Sequence, residues 1–183
     1  MRMSESEYDD LKNRKKKTNK KSTKKIVGIG ICLPDDAWIP TKTSHSKALQ
    51  YLLKNPHKFS RYQEHWEQCY IFHHVAMNLP FAYEMMFAVP NAGKRAMVER
   101  GMLTSQGLRK GVPDIYMDIP TKIYHGLRIE LKKTGATNSA LSEEQIHWIT
   151  KYTQLGFSAH AAFGYKQAID LIYSYLGKNQ TLQ

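Results

Sequence analysis

From Ser60 onward the chain carries a hydrophobic pattern regular enough to assign elements. Behind Ser60, a candidate N-cap, Trp66, Cys69, Tyr70, His73 and Met77 recur at helical spacing, predicting a helix over Arg61–Asn78 that Pro80 stops. Met85–Val89 reads as a buried strand, and the Gly-punctuated, basic stretch after it as a loop with a short helix near Lys94–Thr104. The period then falls to two. Ile115, Met117 and Ile119 alternate with Asp114, Tyr116 and Asp118, and Leu127, Ile129 and Leu131 alternate with Arg128, Glu130 and Lys132. Two strands joined through Thr121–Gly126 as a hairpin follow from this. Ser142-x-x-Gln145 is a capping box, Leu141 with Ile146 fits a hydrophobic staple, and Ile146, Ile149, Thr153 and Leu155 supply the apolar stripe of the helix so opened. Gly156 suits its left-handed end. Phe157–Phe163 reads as a small-residue strand. Tyr165–Leu176 is a last helix with Ala168, Leu171, Ile172 and Tyr175 inward and Gly177 as its stop. The order is α–β–(α)–β–β–α–β–α, an α/β chain with no repeat and no second globular unit.

Before Ser60 the pattern is weak. Lys25–Pro34 is β-rich and Gly-broken, a short strand or an ordered arm, and Lys47–Leu53 has room for a helical turn or two before Asn55-Pro56. Lys12–Lys25 holds nine basic residues and no acid, which cannot bury surface and reads as a disordered, phosphate-seeking tail or a solubilising or localisation tail. Residues 1–25 carry ten Lys/Arg and four acids, net +6 of the formal +11, leaving about +5 for the rest. The division expected is a basic tail over 1–25, an arm over 26–60, a compact domain over 61–177 and a short tail over 178–183. The charge favours an acidic partner, nucleic acid first and an anionic membrane surface second. No apolar run approaches the ~18–20 residues needed to span a bilayer. The start MRMSESEYDD lacks a signal-peptide profile, so a cytoplasmic location is expected, the host cytoplasm if the chain is phage-encoded. Cys32 and Cys69 are too few for a disulfide scaffold.

Chemistry concentrates in Pro113-Asp114, fifteen residues, then Glu130-Leu131-Lys132. A hairpin turn centred near residues 122–124 pairs Asp114 with Lys132 and Tyr116 with Glu130. Opposed side chains on one face stand about 5 Å apart, so Asp114, Glu130 and Lys132 converge at the hairpin's open end. Two carboxylates so close repel unless a cation lies between them, and oxygen donors suit Mg²⁺ or Mn²⁺. An ammonium beside them can orient a water and stabilise charge on phosphate, the equipment for hydrolysing a phosphodiester. Taken alone, Glu-x-Lys is a common tripeptide on solvated strand faces.

Three segments together, NAGKRAMVERGMLTSQGLRKGVPDIYM, YHGLRIELKKTGATNSALSEEQIHW and the closing strand and helix ending IYSYL, resemble the VRR-NUC (virus-type replication-repair nuclease) domain of the PD-(D/E)xK superfamily. The resemblance spans about Arg61–Leu176, 116 of 183 residues. It implies an α/β, restriction-endonuclease-like core with a mixed β-sheet flanked by helices, and a Mg²⁺/Mn²⁺-dependent DNA endonuclease leaving 3′-hydroxyl and 5′-phosphate ends. By motif position Asp114 and Glu130 are its metal carboxylates, the Leu131 backbone carbonyl a further ligand, and Lys132 the catalytic lysine. Gln145 falls on the family's S-x-x-Q element as an accessory active-site residue, although a capping box also wants Gln there. Upstream, YQEHWEQ matches an E-H-x-E-Q segment and places Glu64 as the helix carboxylate, with Glu67 as rival and Gln68 one turn beyond Glu64. Asn91, Gly93, Arg95, Gly107 and Gly111 match the connector, on which Lys94, Arg95, Arg109 and Lys110 are candidate phosphate contacts. Small standalone relatives imply a homodimer, phage or bacterial DNA processing, and branched or junction substrates.

Other readings stand beside this one. A basic DNA-binding protein without activity is the rival from another class, and a sequence-specific restriction-type endonuclease is the third. Gly93-Lys94-Arg95 is no P-loop, because Ala88 and Arg95 occupy the positions of the first glycine and the Ser/Thr. His65, Cys69 and His73 share a helix face, but no partner cluster completes four zinc ligands.

Overall fold

The computed structural model describes residues 23–25, 32–34, 43–89 and 97–177. The chain divides into two units, Met1–Ile39 and Pro40–Gln183. In the first, β1 (Thr23–Lys25) pairs antiparallel with β2 (Cys32–Pro34). The strand expected within 25–34 is β2, and its partner β1 comes from three residues that charge alone had assigned to the tail. The remainder of that tail, and the end 178–183, lie outside the described residues.

The second unit begins with α1 (Ser44–Lys54), whose Ser46 N–H donates to the Thr43 side chain at 3.2 Å. Leu49 and Leu52 bury one face of α1 against α2 (Gln63–Asn78). Two short 3-10 turns, Pro56–Lys58 and Ser60–Tyr62, lead into α2, so Ser60 opens a turn and does not cap the helix. The buried arc of α2 holds Trp66, Glu67, Ile71, Phe72, His73 and Val75, while Met77, expected inward, is exposed. The arc is wider than the sequence stripe because two helices cover α2. One is α1. The other is α6 (Tyr165–Tyr175), reached through Tyr70 against Tyr165 and a 3.3 Å contact of His74 Nε2 with the Tyr173 hydroxyl.

Next come α3 (Pro80–Glu84), β3 (Met86–Ala88), α4 (Met97–Ser105), β4 (Ile115–Met117), β5 (Leu127–Lys132), α5 (Glu143–Gln154) and β6 (Ser158–Phe163) before α6. The sheet runs β3-β4-β5-β6, antiparallel across the first two pairs and parallel across the last. A parallel neighbour needs a crossover, and α5 supplies it. β3 is an edge strand with only Met86 buried and Phe87 exposed, not the fully buried strand that its apolar run suggested. β5 is buried on both faces, from Leu127 through Leu131. The result is an α/β domain with a four-stranded mixed sheet flanked by helices.

Two expectations shift in register. Ile115 pairs with Ile129 and Tyr116 with Arg128, so one residue further Asp114 comes opposite Glu130, and not opposite Lys132. The displacement is two residues, which preserves the face; with Met117 paired to Leu127 the connection is centred on residue 122, one residue earlier than the expected pairing required. In α5 the stripe toward the sheet is Gln145, Trp148, Ile149 and Tyr152, whereas Ile146 and Leu155 are exposed. Physically, the β5 face it covers carries Arg128 and Glu130, so the helix meets it with amide and aromatic groups. With Ile146 exposed, the expected staple to Leu141 is not part of the core. The last helix keeps Ala168 and Ile172 buried with Tyr165 and Ile169, and Leu171 and Tyr175 are half-buried.

Gly156 closes α5 at φ +81°, as its position suggested. Gly111 has φ +79°, and a Cβ there would stand 2.6 Å from the Cβ of Glu144 and 2.8 Å from its carbonyl carbon. The connector therefore lies directly against the first turn of α5, and this contact sets where Pro113-Asp114 enters the sheet. Gly111→Ala is expected to lower stability by roughly 2 kcal/mol, from left-handed strain and a backbone clash together. Chemical denaturation checks this; an unchanged midpoint would show that the connector can move away from α5.

Candidate active site

Asp114 and Glu130 lie at one end of the sheet, both buried, at 6% and 1% exposure. The Leu131 N–H donates to Asp114 Oδ2 at 2.9 Å, so the carboxylate takes a ladder bond that β4 backbone would otherwise accept. That N–H shows that Leu131 turns its peptide groups toward β4. Its carbonyl points the same way, toward Pro113, which has no N–H to offer it. Thus Pro113-Asp114 places both a carboxylate and a strand carbonyl, without a proline donor, at one point.

Burial pushes the Asp114 carboxyl up to about 6, with the Glu64 charge adding to the rise and the Leu131 N–H opposing it. Burial and then the Asp114 charge push Glu130 up to about 7, against the Lys132 ammonium. Both acids resist ionising because they share a dry site.

Lys132 Nζ donates to Glu130 Oε1 at 2.8 Å, and Gln145 Nε2 donates to the same oxygen. Glu130 Oε2 is buried with no hydrogen-bond partner. Two donors hold one oxygen, and the other is presented bare. Gln145 closes the capping box and also reaches Glu130. Its Oε1 accepts from Ser142 N at 2.9 Å, its own N–H donates to Ser142 Oγ at 3.3 Å, and its amide nitrogen reaches Glu130.

The two acids of α2 separate. Glu67 is fully buried and accepts the Thr134 N–H on both oxygens at 3.1 Å, with Gln63 Nε2 at 2.8 Å. It ties α2 to the end of β5. Glu64, one turn earlier, keeps solvent access; partial burial raises its carboxyl while Lys132 and a hydrogen bond from the Lys133 backbone lower it. Its charge is felt by both Asp114 and Glu130, so Glu64 is the α2 carboxylate that faces them. The motif match names Glu64 first with Glu67 as rival, but no sequence signal shows what holds Glu67. The partner of Glu67 is a backbone amide 67 residues away.

Bare Oε2, the charge-repelling pair and the Leu131 carbonyl form a set of hard oxygen donors, which fits Mg²⁺ or Mn²⁺. Among the described residues no group of three or more His, Cys, Asp or Glu closes on one point. Mg²⁺ is ordinarily held by one or two carboxylates with water and phosphate, so two suffice here. In the His/Cys group of α2, His65 Nε2 lies 3.7 Å from Cys69 Sγ, but His73 turns to Ser46 Oγ at 3.4 Å.

Of the four basic residues expected on phosphate, Lys94 and Arg95 lie outside the described residues. Arg109 is exposed, and Lys110 is ion-paired with Glu144 in the first turn of α5. Trp148 Nε1 donates to the Lys110 carbonyl at 3.0 Å, so this end of the connector is fixed to α5. The pattern gave no hint of the surroundings of Arg128. It is buried, paired with Asp118 at 2.9 Å, and boxed by Tyr116 and Phe157 at 4.3 and 4.4 Å from its guanidinium carbon.

No protein-family model and no curated protein matches this chain. A solved structure of a VRR_NUC domain protein does match, with TM-score 0.54 and 26% identity, over 64% of this chain and 90% of that one. The four-stranded mixed sheet and its flanking helices accordingly have a counterpart among known folds, and the chain has a VRR-NUC-like fold, a nuclease-type domain with a PD-(D/E)xK-like core.

Proposed function

We propose that this chain is a Mg²⁺- or Mn²⁺-dependent endonuclease hydrolysing DNA phosphodiesters, with branched or junction DNA as the first substrate to test. The observation that carries the reading is Glu130: one oxygen is held by Lys132 and Gln145, the other is buried and bare beside Asp114. The VRR-NUC-like fold supports the same reaction class. Asp114, Glu130 and the Leu131 carbonyl would hold the ion, with Glu64 on the open side. A divalent ion so bound supplies Lewis-acid polarisation of a phosphate oxygen and a water of lowered pKa. Asp114 is oriented by the Leu131 amide, and Glu130 by Gln145, so the donors do not have to rearrange. Lys132 positions the attacking water and stabilises negative charge as it grows on phosphate. The reaction leaves 3′-hydroxyl and 5′-phosphate ends.

Lys132→Ala and Asp114→Asn should each slow cleavage of plasmid and four-way-junction DNA at least 100-fold in Mg²⁺ or Mn²⁺, and EDTA should stop the wild type. Wild-type rates in either variant would overturn the assignment. The α2 acids should separate in the same assay. Glu64→Ala loses activity with its melting temperature kept, whereas Glu67→Ala, which leaves the Thr134 amide unpaired, loses stability by roughly 2 kcal/mol.

The carboxyl pair also fixes a pH dependence. Raised folded-state values mean that the pair costs little at or below about pH 4, where it is largely protonated folded and unfolded alike; the cost to the metal-free fold grows as pH rises from about 4 toward 7 and is fully present above that. In EDTA, Asp114→Asn should therefore raise the melting temperature at pH 8, by on the order of 5 °C, and change it little at pH 4. Calorimetry at the two pH values measures this difference.

A further inference from the structure

A cavity of about 420 Å³ opens between α1 and α2 at the same end of the sheet as the acids, its wall completed by Ala88 of β3. Its connection to the acids is direct. Ala88 pairs with Ile115, and the next residue, Val89, donates its N–H to the Asp114 carbonyl at 2.9 Å. On the other wall, Gln68 follows Glu64 by one helical turn, so cavity and acids share α2 as well as β4's edge. The lining has a definite chemistry. Phe72 and His45 stack on each other at 5.1 Å between ring centroids, giving one wall an aromatic surface, while Gln68 and Ser44 bring an amide and a hydroxyl. Among the described residues that line it there is no Lys or Arg, and burial lowers the His45 pKa, which favours the uncharged ring. The volume lies within the range of small-ligand sites and exceeds what one planar heterocycle occupies.

We infer that this cavity receives one nucleobase, unstacked from the strand next to the phosphate being cut. The inference rests on the nuclease reading for its source of ligand and adds to it a site that gives the reaction base preference. Stacking on the Phe72–His45 wall supplies sequence-tolerant affinity, and the Gln68 amide, which presents both a donor and an acceptor, discriminates among base edges.

The test uses the full chain and oligonucleotides carrying one 2-aminopurine at successive positions around the cut, single-stranded and duplex. Binding is read with Ca²⁺ and cleavage with Mg²⁺. The variant is Ala48→Phe, which fills the cavity from α1 and touches none of the acids; Gln68→Ala serves as a second variant should the first misfold. Expected is a fluorescence change at a single position on binding, reduced at least fivefold by Ala48→Phe. With it goes a base preference in cleavage at that position, flattened about tenfold by Gln68→Ala, while an abasic substrate is cut equally by all three proteins. Fluorescence without cleavage would uphold the cavity and reject the nuclease. Cleavage with no position-dependent signal, or a signal that both variants retain, overturns the cavity and spares the nuclease. Neither signal nor cleavage rejects both.

Discussion

Two carboxylates facing each other across adjacent strands, both out of water, are the constraint around which the rest of this domain is arranged. In isolation such a pair is unfavourable, because each charge raises the cost of the other and neither is well solvated. The fold meets that cost in part with directed donors: the Leu131 amide on Asp114, Lys132 and Gln145 on Glu130. Each donor depends on another element. The Leu131 amide is available because β4 begins only at Ile115, and Gln145 is held in place by its capping box with Ser142 at the start of α5. The elements far from the acids are thus fixed by what must be delivered to them.

The same principle accounts for Arg128, two residues earlier on β5 and on the same face. Its charge is balanced by Asp118 and its plane is covered by Tyr116 and Phe157, with Tyr152 of α5 bonded to Tyr116 through their hydroxyls at 2.9 Å. One face of one strand therefore carries a buried cation and a buried anion, each with its own local partners. A helix with an ordinary apolar stripe could not cover that face without stranding both. α5 covers it with Gln145, Trp148 and Tyr152, and turns Ile146 outward.

Much of this was legible in the sequence. Alternation located β4 and β5, Ser142-x-x-Gln145 located α5, and Gly156 its end, since each rests on local chemistry within a few residues. The convergence of Asp114, Glu130 and Lys132 survived a two-residue register error because side-chain direction has period two, so an even shift keeps the face. Harder to read were features set by distant partners. The α5 stripe followed apolar residues because a sequence cannot show that the opposing sheet face is charged. Ser60 had the chemistry of a cap, but the chain reaches α2 through two 3-10 turns. Glu64 and Glu67 carry the same side chain one turn apart. What separates them is the position of Thr134.

The charge of the chain also takes on a different meaning beside this site. On the proposed reading, a phosphodiester approaching Asp114, Glu130 and Glu64 meets repulsion until a cation is present, so those residues contribute chemistry and oppose unassisted binding. Affinity must come from elsewhere, and the sequence places it elsewhere: net +6 within residues 1–25. Lys110 illustrates the limit of counting charges nearer the site, since Glu144 already neutralises it. A cation that is paired on α5 releases few counterions from DNA, whereas a run of nine basic residues with no acid releases many. On the proposed reading, attraction to the polyanion and hydrolysis of it therefore fall to separate parts of the chain, the first falling steeply with salt and the second governed by the divalent ion.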